Sequence, residues 1–267
     1  MRVDIDAVTV RLGGREVVRE VSASIGSGQV VGIVGANGSG KSTLLRTIYR
    51  AITPAAGRVR AGGTDVLSLS NRRAACTVSV MLQDAPTDFD LTVEETVMLG
   101  RGPHHATFGR DTPEDLRIVE EAMTRTDTVG LADRMVATLS GGQRQRVMLA
   151  RALAQQTPVM VLDEPSNHLD ISHQHELMST VRDLGCTVIA ALHDLNLAAQ
   201  YCDAVLVLSG GELIDSGPPA DVLTPALIRR VFGVEARLLG DDADPVFAFR
   251  RLVPDSALTH PDTAKES

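Results

Sequence analysis

The chain has 267 residues, a formal net charge of −8 and a sequence pI near 5.4. This acidic balance argues against a nucleic acid held on a basic surface, and no apolar run reaches the roughly 18 residues of a membrane-spanning helix. The three cysteines, Cys76, Cys186 and Cys202, are scattered along the sequence. They predict small buried or half-buried thiols in a reducing compartment rather than a disulfide framework.

The first 34 residues predict strands separated by two glycine turns, at 13–14 and 26–28. The last of these strands, Val30–Val34, is apolar and leads directly into the glycine-rich segment 35–42, after which a helical pattern covers 42–50. Two glycines with four residues between them, followed by Lys and Ser, form the P-loop pattern. The strand–loop–helix context makes a phosphate-binding loop the favoured interpretation over a simple surface turn.

The residue types of this segment suit a polyphosphate such as ATP. Its glycines let the backbone turn several N–H groups toward one anion, and the helix start adds free N–H groups. Lys41 supplies positive charge to the β- and γ-phosphates, and Ser42 supplies a hydroxyl for Mg²⁺. The predicted nucleotide-binding residues here are Gly35, Asn37, Gly38, Ser39, Gly40, Lys41, Ser42 and Thr43.

The middle of the chain changes character and predicts a helical insert between two α/β halves, at about 87–157. Strands at 58–61 and 78–82 precede it. Thr92 with Glu95 predicts one capped helix, and Thr112 with Pro113 predicts the start of another. The apolar face of the second helix is expected to carry Leu116, Val119, Glu120 and Met123.

A second glycine-containing cradle, Ser140-Gly141-Gly142-Gln143, precedes a helical run at 144–156. Ser140 and Gln143 have the spacing of a capping box, a common structural feature. A Gly-Gly pair inside such a cap is unusual because each glycine costs about 1 kcal/mol in a helix. The pair is explained if a ligand approaches the backbone closely.

The apolar strand 159–162 ends in Asp163 and Glu164. Its unbroken apolar run predicts a strand buried on both faces of a parallel sheet, which places the two carboxylates at the ligand-binding edge. Such an Asp holds Mg²⁺ in P-loop NTPases, and Glu164 is placed to orient or deprotonate a water. Two acidic residues after a strand are often only part of an ordinary loop, so this interpretation depends on the P-loop upstream.

The last third returns to strand–helix–strand order, with strands at 187–191, 204–208 and 212–215 and helices starting at Pro218-Pro219 and Pro225. From about residue 240 the sequence is acidic and then polar, and its last ten residues are expected to be disordered. Two histidine pairs, at 104–105 and at 173 and 175, lack good zinc spacing and are interpreted as solvated residues.

Taken in order, these motifs resemble one family, the ATP-binding cassette ATPases, over roughly residues 1–235. The motifs that carry the resemblance are the P-loop at 35–43, Gln83, Leu139 to Gln143, Asp163-Glu164, Ser166 to Asp170, and His193. The resemblance implies an α/β fold, with a P-loop NTPase (RecA-like) core, an antiparallel β subdomain and an inserted α-helical subdomain. Residues 1–235 would form this ATPase domain and 236–267 a C-terminal extension.

The resemblance also implies roles for particular residues. Glu164, His193 and Gln83 would serve hydrolysis, with His193 contacting the γ-phosphate. Ser42, Gln83 and Asp163 would hold Mg²⁺. Ser140, Gly141, Gly142 and Gln143 would contact the ATP held by a second copy, in a homodimer with two ATPs at its interface. Asp170 would communicate across that dimer, and Leu12 would occupy the position of the aromatic residue that stacks on adenine.

The residue sequences of three segments, 163–170, 191–198 and 216–234, are similar to those of ATPases from importers for ferric siderophores, haem and cobalamin. This implies polytopic permease partners, an indirect periplasmic or lipid-anchored substrate-binding protein, no nucleic acid, and a cytoplasmic position on the inner face of the membrane. The groove for the permease is expected beside Gln83 and the segment 85–94, which contains Phe89. The alternatives are a soluble cassette ATPase acting on ribosomes or DNA, and a regulatory module without turnover.

Overall fold

The structure is a computed structural model that describes residues 1–82, 90–105, 111–167, 169–239 and 245–251. The first half contains β1 (Val3–Leu12), β2 (Arg15–Ile25), β3 (Val30–Val34), α1 (Lys41–Ile48), β4 (Ala56–Ala61), β5 (Thr64–Asp65), α2 (Asn71–Ala75), β6 (Val78–Met81), α3 (Val93–Met98) and α4 (Pro113–Arg125). The second half contains α5 (Gly141–Ala154), β7 (Val159–Asp163), α6 (Ile171–Arg182), β8 (Thr187–Ala191), α7 (Leu195–Tyr201), β9 (Ala204–Ser209), β10 (Glu212–Gly217), α8 (Pro219–Val222), α9 (Pro225–Phe232), β11 (Val234–Leu238) and β12 (Phe247–Arg251).

A six-stranded sheet with the order β10-β9-β3-β8-β7-β6 forms the centre of the molecule. Strands β6, β7, β8, β3 and β9 are parallel to their neighbours, and β10 is antiparallel at one edge. Every residue of β3, β7 and β8 is buried, which explains their unbroken apolar runs. Because these strands are parallel, their carboxyl ends meet at one edge of the sheet.

A separate antiparallel sheet, β2-β1-β4-β5, covers one face of this core. Its alternating inward residues, Val3, Ile5, Val8 and Val10 among them, share one apolar cluster with α1 and one side of the central sheet. The other side packs against α5, α6, α7 and the C-terminal helices. The predicted α/β core with an antiparallel β subdomain is therefore confirmed.

The helices α3, α4 and α5 form a third cluster and constitute the predicted helical subdomain. The capping boxes at Thr92 and Thr112 are both present. The expected apolar face of α4 is wrong at two of its four residues, since Leu116 is 50% exposed and Glu120 is also exposed. The buried side of α4 contains Asp115, Ile118, Val119, Ala122 and Met123. No helix among those described combines the length and apolar character needed to cross a bilayer.

A buried ion pair joins α4 to the segment that follows α3. Arg101 Nε donates to Asp115 Oδ1 at 2.8 Å, and Arg101 also donates to the Ala154 carbonyl at 2.7 Å. The Thr112 hydroxyl and the Arg101 guanidinium hold the pKa of Asp115 well below its usual range. His105 Nε2 lies 3.0 Å from Asp115 Oδ2. His105 is thus half-buried and hydrogen-bonded rather than solvated, as is His104, whose Nε2 lies 2.8 Å from the Gln155 carbonyl.

The pair β11–β12 forms an antiparallel hairpin that the sequence did not predict, since the region after residue 240 reads as acidic and polar. Phe247 is buried in the core cluster. Asn196 fastens the hairpin to α7, because its Oδ1 accepts from the Phe247 N–H at 2.7 Å and its Nδ2 donates to the Phe247 carbonyl at 3.2 Å. The predicted disorder of the last ten residues lies outside the described residues.

Candidate nucleotide-binding site

A cleft lies at the carboxyl edge of the central sheet, where β3, β7 and β8 end next to one another. The P-loop follows β3, Glu164 follows β7, and His193 follows β8. Residues from 37 to 43, Glu164, His193 and Val17 line the cleft. The structure therefore brings together the P-loop, Glu164 and His193 from three separate segments of the sequence, because parallel strands place their carboxyl ends at one edge of the sheet.

The P-loop backbone conformation requires glycine at two tightly packed positions. Gly40 has a φ of 102°, and a Cβ there would lie 2.8 Å from the Val17 carbonyl oxygen. A Cβ on Gly35 would lie 2.2 Å from the Leu208 carbonyl oxygen. Since α1 begins at Lys41, immediately after this turn, its free N–H groups face the cleft.

Lys41 is folded over the loop and is only 5% exposed. Its Nζ donates to the Gly35 carbonyl at 2.8 Å and to the Ala36 carbonyl at 3.2 Å. Burial lowers the pKa of Lys41, and the carboxylates of Glu164 and Asp163 partly oppose this effect. The ammonium group is thus positioned over the loop beside two carboxylates, where a bound polyphosphate would complete its partners.

Two buried polar atoms beside the loop lack a hydrogen-bond partner within the described part of the chain, namely Asp163 Oδ1 and Ser39 Oγ. A buried polar atom without a partner costs free energy unless a ligand satisfies it. Asp163 is 6% exposed and Ser39 is 3% exposed, so bulk water cannot fully replace that ligand. Both atoms are consistent with a site built to receive a charged group.

Both oxygens of the Glu164 carboxylate are held by side chains. His193 Nε2 lies 2.7 Å from Glu164 Oε1, and Asn167 Nδ2 donates to Glu164 Oε2. Glu164 has a φ of 55°, a left-handed conformation that is strained for a residue with a side chain. The two side-chain contacts therefore fix this carboxylate at the mouth of the cleft, on a backbone conformation that a residue with a side chain rarely adopts.

The second glycine cradle starts α5 with both capping-box bonds formed. Ser140 Oγ accepts from the Gln143 N–H at 3.3 Å, and Gln143 Oε1 accepts from the Ser140 N–H at 3.2 Å. None of Ser140, Gly141, Gly142 and Gln143 lines the P-loop cleft of the same chain. The start of α5 is instead a separate surface beside α6, since a Cβ on Gly142 would lie 3.4 Å from His173.

The remaining predicted site residues fall elsewhere. Leu12 is 41% exposed at the end of β1 and does not line the cleft, whereas Val17 of β2 does. Gln83 and Phe89 lie outside the described residues. Asp170 caps α6, with its Oδ1 accepting from the His173 N–H at 2.9 Å.

Val17 and Asn167 are functional candidates that the sequence did not indicate. Val17 lies at the cleft because β2, in the antiparallel sheet, packs beside the P-loop. The position of Asn167, three residues after Glu164, could have suggested the contact to its carboxylate.

A P-loop, a strand-end carboxylate pair and a histidine after the neighbouring strand define a nucleotide-binding protein of the P-loop class. Comparison with known proteins identifies the family within this class. The family model described as ABC transporter matches residues 18–167. The chain therefore belongs to the ABC transporter family.

Two named relatives extend this result over most of the chain. The cobalamin import ATP-binding protein BtuD of Halobacterium salinarum is 46% identical over 247 residues, which cover 91% of this chain. That alignment spans 62% of the relative's own length. The ferric enterobactin transport ATP-binding protein FepC of Escherichia coli is 40% identical over 97% of this chain and 96% of the relative.

Solved structures agree on the fold. A metal-chelate type ABC transporter in an inward-facing conformation superposes with a TM-score of 0.82 at 23% identity, over 96% of this chain and 99% of that chain. A dimeric ATP-binding cassette with ADP and phosphate, in a post-hydrolysis state, superposes with a TM-score of 0.71 at 27% identity, over 81% of this chain and 98% of that chain. These similarities confirm the predicted ABC ATPase fold.

Proposed function

We propose that this chain is the ATP-hydrolysing subunit of a membrane importer for iron–siderophore, haem or cobalamin-type compounds. The observation that carries the proposal is Glu164, a carboxylate held by His193 and Asn167 at the mouth of a P-loop cleft. The names of the two relatives, for cobalamin import and ferric enterobactin transport, support the class of cargo.

Each residue of the cleft has a separate role in ATP hydrolysis. The P-loop N–H groups and Lys41 bind the phosphates of ATP. Glu164 takes a proton from the water whose oxygen attacks the γ-phosphorus, and the bond from that phosphorus to the bridging oxygen breaks. ADP and phosphate leave, and the proton passes from Glu164 to solvent. His193 holds Glu164 and faces the γ-phosphate from the neighbouring strand end.

The residues present suit Mg²⁺ as the second component of the site. Asp163, with its unpartnered Oδ1, and the Ser42 hydroxyl would hold the ion, with Gln83 as the third predicted ligand. Over the described residues no group of three or more His, Cys, Asp or Glu forms a closed metal cage. This fits Mg²⁺, which takes one or two carboxylates and completes its shell with phosphate and water oxygens. When bound, the ion neutralises charge on the β- and γ-phosphates.

The active unit in this proposal is a homodimer. Ser140 and the following amides do not face the P-loop of their own chain, so they are available to cover the ATP of a second copy. Two such contacts related by two-fold symmetry enclose two ATP molecules. The dimeric form of the structurally similar cassette supports this arrangement.

The membrane partners are proposed to be polytopic permease subunits, with the chain bound peripherally at the cytoplasmic face. A periplasmic or lipid-anchored binding protein would act only indirectly, and the net charge of −8 gives no support to a nucleic-acid partner. The cargo itself would never contact this subunit.

Purification of the tagged chain from membranes tests this function directly. We expect a polytopic membrane protein to co-purify, and the reconstituted complex to take up an iron chelate, haem or cobalamin only with ATP. The same complex carrying Glu164→Gln serves as the control and should bind ATP without uptake. Association with ribosomes or DNA in place of a membrane protein would contradict the proposal.

A further inference from the structure

An apolar groove is shared by the C-terminal hairpin, the end of α9 and the turn after β8. Phe232, Val234 and Phe249 line it together with the turn from His193 to Asn196. The groove has a volume of about 600 Å³, and Phe249 is 43% exposed. Aromatic and aliphatic side chains exposed in a groove with a polar rim are typical of a surface that binds another segment.

Side-chain contacts fix the walls of this groove relative to one another. Asp194 Oδ1 accepts from the N–H groups of Asn196 at 2.7 Å and Leu197 at 3.3 Å. Asn196 in turn makes both hydrogen bonds to Phe247 of β12. The ring of Phe247 is buried and stacks on that of Phe249, with the centroids 6.3 Å apart. The groove is therefore preformed, and a segment that fills it need not reorganise the walls.

The register of the hairpin shows which part of the chain comes to this groove. Arg251, the last residue of β12, pairs with Val234, which lines the groove. The next partner along β11 would be Gly233, the C-cap of α9, whose φ is 67°. This left-handed backbone does not fit a strand ladder. The pairing therefore ends at Arg251, immediately beside two groove residues, Phe232 and Val234.

The residues that follow Arg251 suit an apolar groove. They are Leu252-Val253-Pro254, an apolar triplet followed by Asp255 and a largely polar stretch. Three extended residues span about 10 Å, so the whole triplet is within reach of a groove that begins at Val234. Pro254 has no N–H group to leave unpaired in an apolar site, and the other two side chains supply surface for the aromatic walls to bury.

We propose that Leu252-Val253-Pro254 folds back into the groove of its own chain and holds the turn that carries His193. The contact is made within one chain and needs neither nucleotide nor a second copy, so it is independent of the proposed function. It covers Phe249 and restrains the residues that follow His193. Because His193 Nε2 lies 2.7 Å from Glu164 Oε1, the triplet acts on the position of that carboxylate through the turn.

Thiol labelling tests where the triplet lies. Val253→Cys is compared with Thr263→Cys, each in the full chain with Cys76 and Cys186 replaced by alanine and the buried Cys202 kept. We expect a maleimide to label position 253 at least tenfold more slowly than position 263, because only the former is covered by the groove walls.

A charge in the groove tests whether its walls cause this protection. Phe249→Asp, added to the Val253→Cys protein, should remove the protection, because an unpaired carboxylate is not desolvated against an apolar segment. Leu238→Asp is the matched control and should leave the protection intact. Leu238 is 40% exposed in the same hairpin, and it is not among the described residues that line the groove.

Hydrogen exchange tests the effect on the turn. In the full chain carrying Leu252→Asp and Val253→Asp, peptides that cover 192–197 should exchange at least fivefold faster, while peptides that cover α1 stay unchanged. The matched control carries Thr259→Asp and Thr263→Asp, which add the same charge further along the chain, and should exchange like the wild type.

The outcomes separate the possible occupants of the groove. Equal labelling at 253 and 263 overturns the docking, as does protection that survives Phe249→Asp or is lost equally with Leu238→Asp. Protection that increases with protein concentration assigns the groove to the triplet of a second copy and overturns the contact within one chain. Unchanged exchange over 192–197 in the Leu252→Asp, Val253→Asp protein overturns the effect on the turn.

Discussion

Replacement of Glu164 by glutamine is expected to separate ATP binding from ATP hydrolysis. The amide cannot accept the proton of the attacking water, and general base catalysis contributes about 10²–10⁴-fold to rate. We therefore expect kcat to fall by about 10²–10⁴-fold, which is about 3–5 kcal/mol in activation free energy. Nucleotide affinity should be retained, because the P-loop and Lys41 are untouched.

The contacts of Glu164 also allow an estimate of how much Glu164→Gln lowers the stability of the fold. Two donors, His193 Nε2 and Asn167 Nδ2, face the two carboxylate oxygens. The glutamine carbonyl can accept from Asn167 Nδ2, and its NH₂ group then faces His193 Nε2, which accepts only in the other neutral tautomer; the cost of this change is at most about 1–3 kcal/mol. The side chain of Glu164 is 16% exposed, so a drop of no more than about 10 °C in Tm is expected.

Phosphate release, fluorescent-nucleotide titration and thermal unfolding measure these three quantities. Glu120→Gln on the exposed face of α4 is the matched control and should leave all of them unchanged. A kcat within threefold of the wild-type value would refute the assignment of Glu164 as the base.

Three further predictions concern other parts of the molecule. Leu12→Tyr should tighten ATP binding several-fold in nucleotide titrations and improve discrimination against GTP, if β1 lies under the adenine; an unchanged affinity would remove Leu12 from the site. Arg101→Met should lower the free energy of unfolding by about 3–5 kcal/mol in urea titrations, because it leaves Asp115 buried without its cation; the double change with Asp115→Leu should recover part of that loss. Burial raises the pKa of Cys202 to about 12, so it should resist alkylation at pH 8 in the folded protein and react only on unfolding; labelling of native Cys202 would contradict its burial.

The sequence could predict the core of the site because its motifs are local. The P-loop, the capping box at Ser140 and the apolar strand before Asp163 each occupy one short segment, and the parallel-sheet rule then brings their ends together. The capping boxes at Thr92 and Thr112 were predictable for the same reason, since spacing along one helix determines them.

Features that depend on long-range contacts were not predictable from patterns. Asp115 lies on the buried side of α4 because its partner Arg101, in a different segment, satisfies its charge there; the wrong choice of Leu116 was instead a local one, since Ile118, Val119, Ala122 and Met123 form the buried apolar stripe. Strand β12 depends on pairing with β11 and on Asn196 of α7.

The central claim is that each catalytic site is shared by two copies, and mixed dimers test it most directly. Lys41→Ala disables the P-loop of its own chain, and Ser140→Arg disables the surface offered to the partner. Each variant alone should be inactive. An equal mixture should regain about a quarter of the wild-type ATPase rate, because half the dimers are mixed and each keeps one intact site of two. No recovery at any mixing ratio, or full turnover by demonstrably monomeric wild-type protein, would contradict the shared site.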